Sequence, residues 1–318
     1  MALCASLLAW SCTRQQKTEE KSQPTAEAAR VAKSPQTPVK VADDSTPAEP
    51  AKPTEPANAM PPRMKCLVES YPDHLCGGDA THVFWCNGDK MLWDDGKAKA
   101  DHDTLLNTAD LEDQLAQPYP LGADFPMPLP VNYEPGRVRN TAFFLKMYGE
   151  TESAMRQTLT RINWLPSTDN RSIRVTKVNK VHEKLAAVSA DIEKLSPALQ
   201  KAAGDTSGPF YWRNIKGTER KSMHSFAIAF DIGLKDAYYW RWAKPDANGM
   251  RKYKNKMPIE IVEIFENHGF IWGGKWFHFD TPHFEYRPEL LHPDCVAKKG
   301  DKPDGSGADA EGGRGDKK

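Results

Sequence analysis

An α+β fold, a small antiparallel sheet with helices flanking it, is what this chain of 318 residues predicts. Three observations lead there. Short β-like runs such as HVFWC, SIRVTKV, FIW and HFEY lie between helical stretches without the regular alternation of a parallel α/β protein. Asn87-Gly88-Asp89 between two apolar runs is a hairpin signal, which demands antiparallel pairing. Helical spacing of apolar residues is confined to a few segments, and no internal repeat is apparent.

Along the chain, residues 1–12 (MALCASLLAWSC) form a short apolar stretch ending in Cys12. It is too short to span a membrane and suits the apolar core of a secretion signal. Residues 13–62 contain no aromatic side chain and are rich in Pro, Ala, Thr, Glu and Lys, which predicts a Pro-rich disordered linker. Residues 63–130 read as a small Cys-containing β unit followed by a Pro-rich wrap. The β unit is the hairpin around Gly88. The wrap carries the helical patch TLLNTADLEDQLA and then Pro118, Pro120, Pro126, Pro128 and Pro130, whose density denies regular structure.

Residues 131–296 hold the main domain. Met155, Leu159 and Ile162 have helical spacing over 151–165. SIRVTKV alternates like a strand, and Asn179 is placed to cap a helix with Val181, Leu185, Val188, Ile192 and Leu195 on one face. PFYWRNI and SFAIAFDIG read as short β pieces. A further helix begins at Pro258 and stops at Gly269, with FIW and HFEY as closing strands. Residues 297–318, built from Gly, Asp and Lys without periodicity, predict a disordered tail.

Composition narrows the function classes. The 43 basic and 43 acidic side chains cancel, which argues against nucleic-acid binding through a general positive field. No apolar run approaches the roughly 18 residues needed to cross a bilayer, which excludes a polytopic membrane protein. Apart from Cys4 and Cys12, the cysteines are Cys66, Cys76, Cys86 and Cys295. They lack a C-x-x-C pair, so a Cys-ligated zinc site is disfavoured. Their even number in an exported chain predicts two disulfides, with three pairings open.

Two clusters carry chemistry. The first runs from Ser222-Met223-His224 to Ala229-Phe230-Asp231. The second runs from Gly273-Gly274 to Asp280-Thr281-Pro282-His283-Phe284-Glu285. Two imidazoles and a carboxylate, from His224, Asp231 and His283, are the donor set of a catalytic zinc that keeps a fourth position for water. A carboxylate that is not a ligand must then move the proton, and Asp280 is placed for that. Strand alternation puts Glu285 on the same face as His283, where it can orient the ligand imidazole.

These motifs, with Trp272-Gly273-Gly274 and the Arg213-Asn214-Ile215-Lys216-Gly217-Thr218 lead-in, resemble the zinc peptidases of the VanY-type D-alanyl-D-alanine carboxypeptidase family and the related L-alanyl-D-glutamate endolysins. The resemblance is strong over residues 210–290. It implies a LAS or hedgehog-like fold around one Zn2+ held by His224, Asp231 and His283, with Asp280 as general base. It also implies an arginine that binds or polarises the substrate: Arg213 first, Arg137 second, Arg220 third. Ser222, Trp276 and Arg137 are expected to meet the substrate, a peptidoglycan stem peptide. The sequence departs from the family at Ala227, where glycine is usual, and at Pro282, where methionine often stands. Alanine is tolerable there unless its φ is positive.

MALCASLLAWSC likewise resembles a bacterial lipoprotein signal. That would make Cys12 the lipidated residue and membrane attachment a matter of that anchor alone, with the protein exported to the periplasm or outer membrane. The competing expectation is a non-catalytic wall-binding lipoprotein with a structural metal. His74, His82, His102, His182 and His292 read as ordinary residues, His268 as a helix C-terminal charge, and His278 as a neighbour of the site.

Overall fold

The computed structural model describes residues 59–207, 210–247 and 250–298. Cys12, the linker as far as residue 58 and the tail from residue 299 lie outside them. The chain opens with α1 (Pro62–Ser70), which starts on a proline and buries Met64, Cys66 and Leu67. This helix stands where the sequence predicts the end of a linker; its three apolar residues on one side give it a face to bury. A three-stranded antiparallel sheet follows: β1 (Leu75–Gly78), β2 (His82–Trp85) and β3 (Lys90–Leu92). The β2–β3 turn is the expected Asn-Gly hairpin, with Gly88 at φ +92°.

The helical patch after it is two helices, α2 (His102–Thr108) and α3 (Leu111–Leu115), parted at Asp110. Asp110 and Asp113 form a reciprocal capping box that starts a new helix there. The proline-rich stretch that follows has no helix or strand and is held by side chains. Tyr119 is fully buried, and its hydroxyl donates to Glu266 at 2.7 Å.

α4 (Thr141–Tyr148) and α5 (Glu152–Thr158) lead into a hairpin of β4 (Leu159–Trp164) and β5 (Arg171–Thr176). The helix expected over 151–165 therefore ends at Thr158. Leu159 and Ile162 belong to a strand, with Ile162 paired across to Ile173. Helical spacing and β pairing both accommodate these residues, and the available partner strand decides.

α6 (Val181–Ile192) buries Val181, Leu185, Val188 and Ile192 as expected. Asn179 does not cap it: its backbone is left-handed at φ 52°, and its side chain donates to the Tyr148 hydroxyl at 3.2 Å. α7 (Pro197–Ala203) follows. Only β6 (Ala229–Asp231) forms within the second apolar run, and the segment before it makes a single bridge, Asn214 to Lys221. α8 (Ile259–Asn267) ends where Gly269 turns the chain at φ +89°. β7 (Phe270–Trp272) and β8 (His283–Tyr286) complete an antiparallel sheet in the order β6-β8-β7.

The fold is thus α+β with small antiparallel sheets. One buried cluster reaches from Met64 and Leu67 through Phe143 and Phe226 to Phe284 and Leu290, so residues on both sides of position 130 share a core. Two disulfides, Cys66–Cys295 and Cys76–Cys86, with Cα atoms 6.4 and 4.9 Å apart, fix the pairing that the sequence leaves open.

Candidate metal centre and substrate cleft

The centre is built on β6 and β8. Their antiparallel register sets Asp231 opposite His283 and Ala229 opposite Glu285, so these side chains share one face of the sheet. His224 arrives from a 3-10 turn, Met223–Phe226, just ahead of β6. Ala227 closes that turn in the left-handed region at φ 51°, the geometry that explains why glycine suits this position. Asp231 Oδ1 lies 3.4 Å from His224 Nε2 and 3.1 Å from His283 Nδ1. Both imidazoles are buried. The side chain of Asp231 keeps a 26% exposure toward the cleft, which leaves one side of the cluster accessible. Two ring nitrogens and a carboxylate oxygen, all within 4.8 Å of one another, fit the donor set of a zinc ion.

Charge inside the cluster is balanced by its own members. Burial opposes ionisation of Asp231, yet the flanking His224 and His283 hold its carboxyl far below the usual carboxylate range. Burial likewise opposes a charged His283, but contacts with Asp231 and Glu285 overcome it and push the imidazole up to about 10. Glu285 is fully buried and receives Arg139 at both oxygens, Nε at 3.0 Å from Oε1 and Nη2 on Oε2. Burial works against its charge, and Arg139 first, then His283 and Arg287, keep its carboxyl low.

Asp280 stands beside this group. Its backbone N–H donates to Gly273 O at 2.9 Å, and its carbonyl accepts from His283 N at 3.2 Å. Burial pushes its carboxyl up to about 6, against the pull of His283, His224 and Arg137 and aided by the charge of Asp231. The two glycines ahead of it make room. A Cβ on Gly273 would meet the Asp280 carbonyl at 2.7 Å, and one on Gly274 would meet the Trp272 ring at 2.1 Å.

A cleft of about 500 Å³ opens over the cluster. Ser222 and Trp276 line it, as do all three arginines that the sequence nominates. Trp276 is buried, its indole N–H donates to Pro135 O at 2.8 Å, and its ring lies 5.5 Å from that of His283. Arg213 is exposed, with its guanidinium 5.7 Å from the Tyr211 ring. Arg137 is tied to the buried Glu134, which also meets His102 Nε2 at 2.9 Å and His278.

His102 is therefore no ordinary surface histidine, since it stacks on His278 at 5.8 Å. His102, Glu134 and His278 could also group around a cation, but the Arg137 guanidinium already occupies Glu134 Oε2. Sequence reasoning also missed Arg139 and Glu134. Their signal was the run Glu134-Pro135-Gly136-Arg137-Val138-Arg139, charged residues inside a proline-rich wrap that otherwise has no reason to carry them.

Residues 216–286 match a family model described as D-alanyl-D-alanine carboxypeptidase. No curated protein matches the chain, and no solved structure does. The matched span is less than half of the chain, and it contains Ser222, His224, Asp231, Asp280 and His283. Over these residues, with two histidines and an aspartate gathered on β6, β8 and the turn before them, the chain is similar to the D-alanyl-D-alanine carboxypeptidase family of peptidases.

Proposed function

We propose that the protein is a zinc-dependent peptidase that trims the stem peptides of bacterial peptidoglycan, releasing a terminal D-alanine. The observation that carries this reading is the convergence of His224 Nε2, Asp231 Oδ1 and His283 Nδ1 at the floor of a cleft, with Asp280 beside them. These three residues would hold the ion. When bound, zinc supplies Lewis acidity, which brings the pKa of water near neutrality and polarises a carbonyl.

The chain's own groups do the rest. Asp280, with its carboxyl near 6, takes a proton from the attacking water and passes it to the leaving amine. Glu285 faces Nε2 of His283 at 3.3 Å and leaves Nδ1 free to point at the cluster. Ser222 and Trp276 shape the cleft floor. Arg213 and Arg137 offer guanidinium donors for the peptide's carbonyl or carboxylate. Cleavage of an internal L-Ala–D-Glu bond uses the same machinery and is the alternative outcome.

Incubating the purified protein with defined muropeptides, with and without a chelator, and weighing the products tests this. Loss of one alanine, abolished by chelator, is the expected result. Intact muropeptides in the presence of zinc would instead leave a non-catalytic wall-binding protein. The same reading places the protein outside the cytoplasm, in the periplasm or at the outer membrane through lipid on Cys12. Two disulfides support export, because they form and persist in oxidising compartments. Fractionation of cells carrying the wild type and Cys12→Ser tests it: the variant should leave the membrane fraction.

A further inference from the structure

Beyond β8, the strand that carries His283, the chain buries Arg287 and Glu289 completely, and Glu285 within the strand is equally sealed. Four side chains follow one another behind the ligand imidazole. Glu285 Oε2 lies 3.3 Å from His283 Nε2, and Glu285 Oε1 accepts from Arg287 Nη1 at 3.1 Å. Arg287 Nε donates to Glu289 Oε1 at 2.5 Å, and Glu289 Oε2 accepts from the Tyr71 hydroxyl at 2.7 Å. Each carboxylate turns one oxygen toward each of its neighbours in the series.

The far end of the series belongs to the Cys-containing unit. Tyr71 closes α1, is fully buried, and meets Phe143 edge-on with ring centroids 5.9 Å apart. Burial first, and then the charge of Glu289, raise its hydroxyl well above the ordinary range, so it stays a neutral donor. The Cys66–Cys295 bridge pins α1 itself. Arg287 is fixed from the side as well: Nη1 donates to Gly136 O at 2.7 Å, and the guanidinium lies 5.1 Å from the Phe144 ring. A buried ion network adds little net stability over apolar packing of the same volume, but it admits one arrangement of its members. Here that arrangement ends on a metal-ligand imidazole. Arg287 divides its charge between two carboxylates, so Glu289 sets how strongly Glu285 accepts from His283.

We infer that Glu289 and Tyr71 are positioning residues of the metal centre, through which the unit before residue 130 tunes the hold of His283 on zinc. The inference rests on the zinc centre of the peptidase reading and extends it to residues that do not line the cleft.

The experiment measures zinc Kd by chelator competition in the full-length protein, wild type and Glu285→Gln, each with and without Glu289→Gln. Without the Glu289 charge, Arg287 falls wholly on Glu285 and weakens its bond to His283. Glu289→Gln should therefore raise Kd by about 3- to 10-fold in the wild type. In the Glu285→Gln background, where the series is already broken, Kd should stay within about twofold. Tyr71→Phe should lower Kd, and again only when Glu285 is present, because Glu289 stripped of its donor draws Arg287 away from Glu285. An unchanged Kd for Glu289→Gln would overturn the inference. So would an equal rise in both backgrounds, which marks plain loss of stability, or a rise with Tyr71→Phe. Should Glu289→Gln fail to fold, Tyr71→Phe carries the same cycle, and a Kd equal to that of the wild type overturns the inference. If the wild type binds no zinc, the metal centre fails separately, and nuclear magnetic resonance of the metal-free protein decides. The ring-nitrogen shifts of His283 should then move on Glu289→Gln only when Glu285 is present, and unmoved shifts overturn the inference.

Discussion

Glu285 meets Nε2 of His283 at 3.3 Å, on the opposite side of the ring from the nitrogen that faces Asp231. Arg139 and Arg287 in turn hold Glu285, so the orientation of one imidazole is fixed by a chain of charges reaching into the core. Replacing Glu285 with Gln should weaken zinc affinity by about 10- to 100-fold while the fold persists. Competition with a chromophoric chelator measures it; an unchanged affinity would assign Glu285 to stability alone.

His283 is held protonated by its two carboxylate neighbours, with its pKa pushed up to about 10 in the metal-free protein. A ligand imidazole must be neutral, so metal uptake near pH 7 should expel about one proton. The sign follows: affinity for zinc falls as pH drops below 10. Calorimetric titration in two buffers of different ionisation enthalpy counts the proton. Equal apparent enthalpies would contradict it.

Asp280→Asn removes a base without removing a ligand. Zinc should remain bound while turnover of muropeptides drops by about 10²- to 10⁴-fold. In the wild type, activity requires the ionised carboxylate and therefore falls as the medium is acidified. With Asp280 near 6 before metal binds, and a cation drawing it lower, the acid limb of kcat/KM should lie at or below pH 6. A limb well above 6 would point to another base.

Gly274→Ala tests the packing behind the centre. Its Cβ would fall 2.1 Å from a ring carbon of Trp272, whose indole is buried and donates to Thr281 O at 2.7 Å. Destabilisation of about 1–3 kcal/mol is expected in urea unfolding. Gly88→Ala, with no atom near its Cβ, should cost only its backbone strain, about 1 kcal/mol.

Glu134 carries His102, Arg137 and His278 at once. Burial disfavours its charge, yet Arg137 and the two histidines keep its carboxyl well below the usual value. Glu134→Gln should cost about 3–5 kcal/mol at neutral pH by stranding those groups. Because the folded-state pKa is depressed, this advantage exists above about pH 4 and fades as pH falls further. Urea midpoints at pH 7 and pH 3 should therefore converge between wild type and variant.

The centre was legible because its residues are close in sequence within two short motifs, and a strand's alternation fixes which side chains share a face. Asp231, His283 and Glu285 could be placed on that rule, and His224, in the turn ahead of β6, followed from its motif. The hairpin at Gly88 was legible for a similar reason, since the turn demands a positive φ. Long-range pairings were not. Nothing local tells Tyr119 to seek Glu266, or His102 to reach Glu134 across the proline-rich wrap. The break between α5 and β4 was hidden because Leu159 and Ile162 fit either period. Arg139 and Glu134 acquire their roles only from what surrounds them, so a list of charged residues ranks them no higher than the exposed Arg213.

The Cys66–Cys295 bridge brings the first helix and the last turn of the folded region within 6.4 Å, across 229 residues. The domain is topologically a loop fastened at its base. Two or three residues would span the gap in place of the sulfurs. New ends could then be opened in an exposed turn remote from the cleft, such as Asn87-Gly88, and the permuted protein should keep the same centre. A protease that nicks the native chain anywhere between these cysteines would still leave a single covalent molecule.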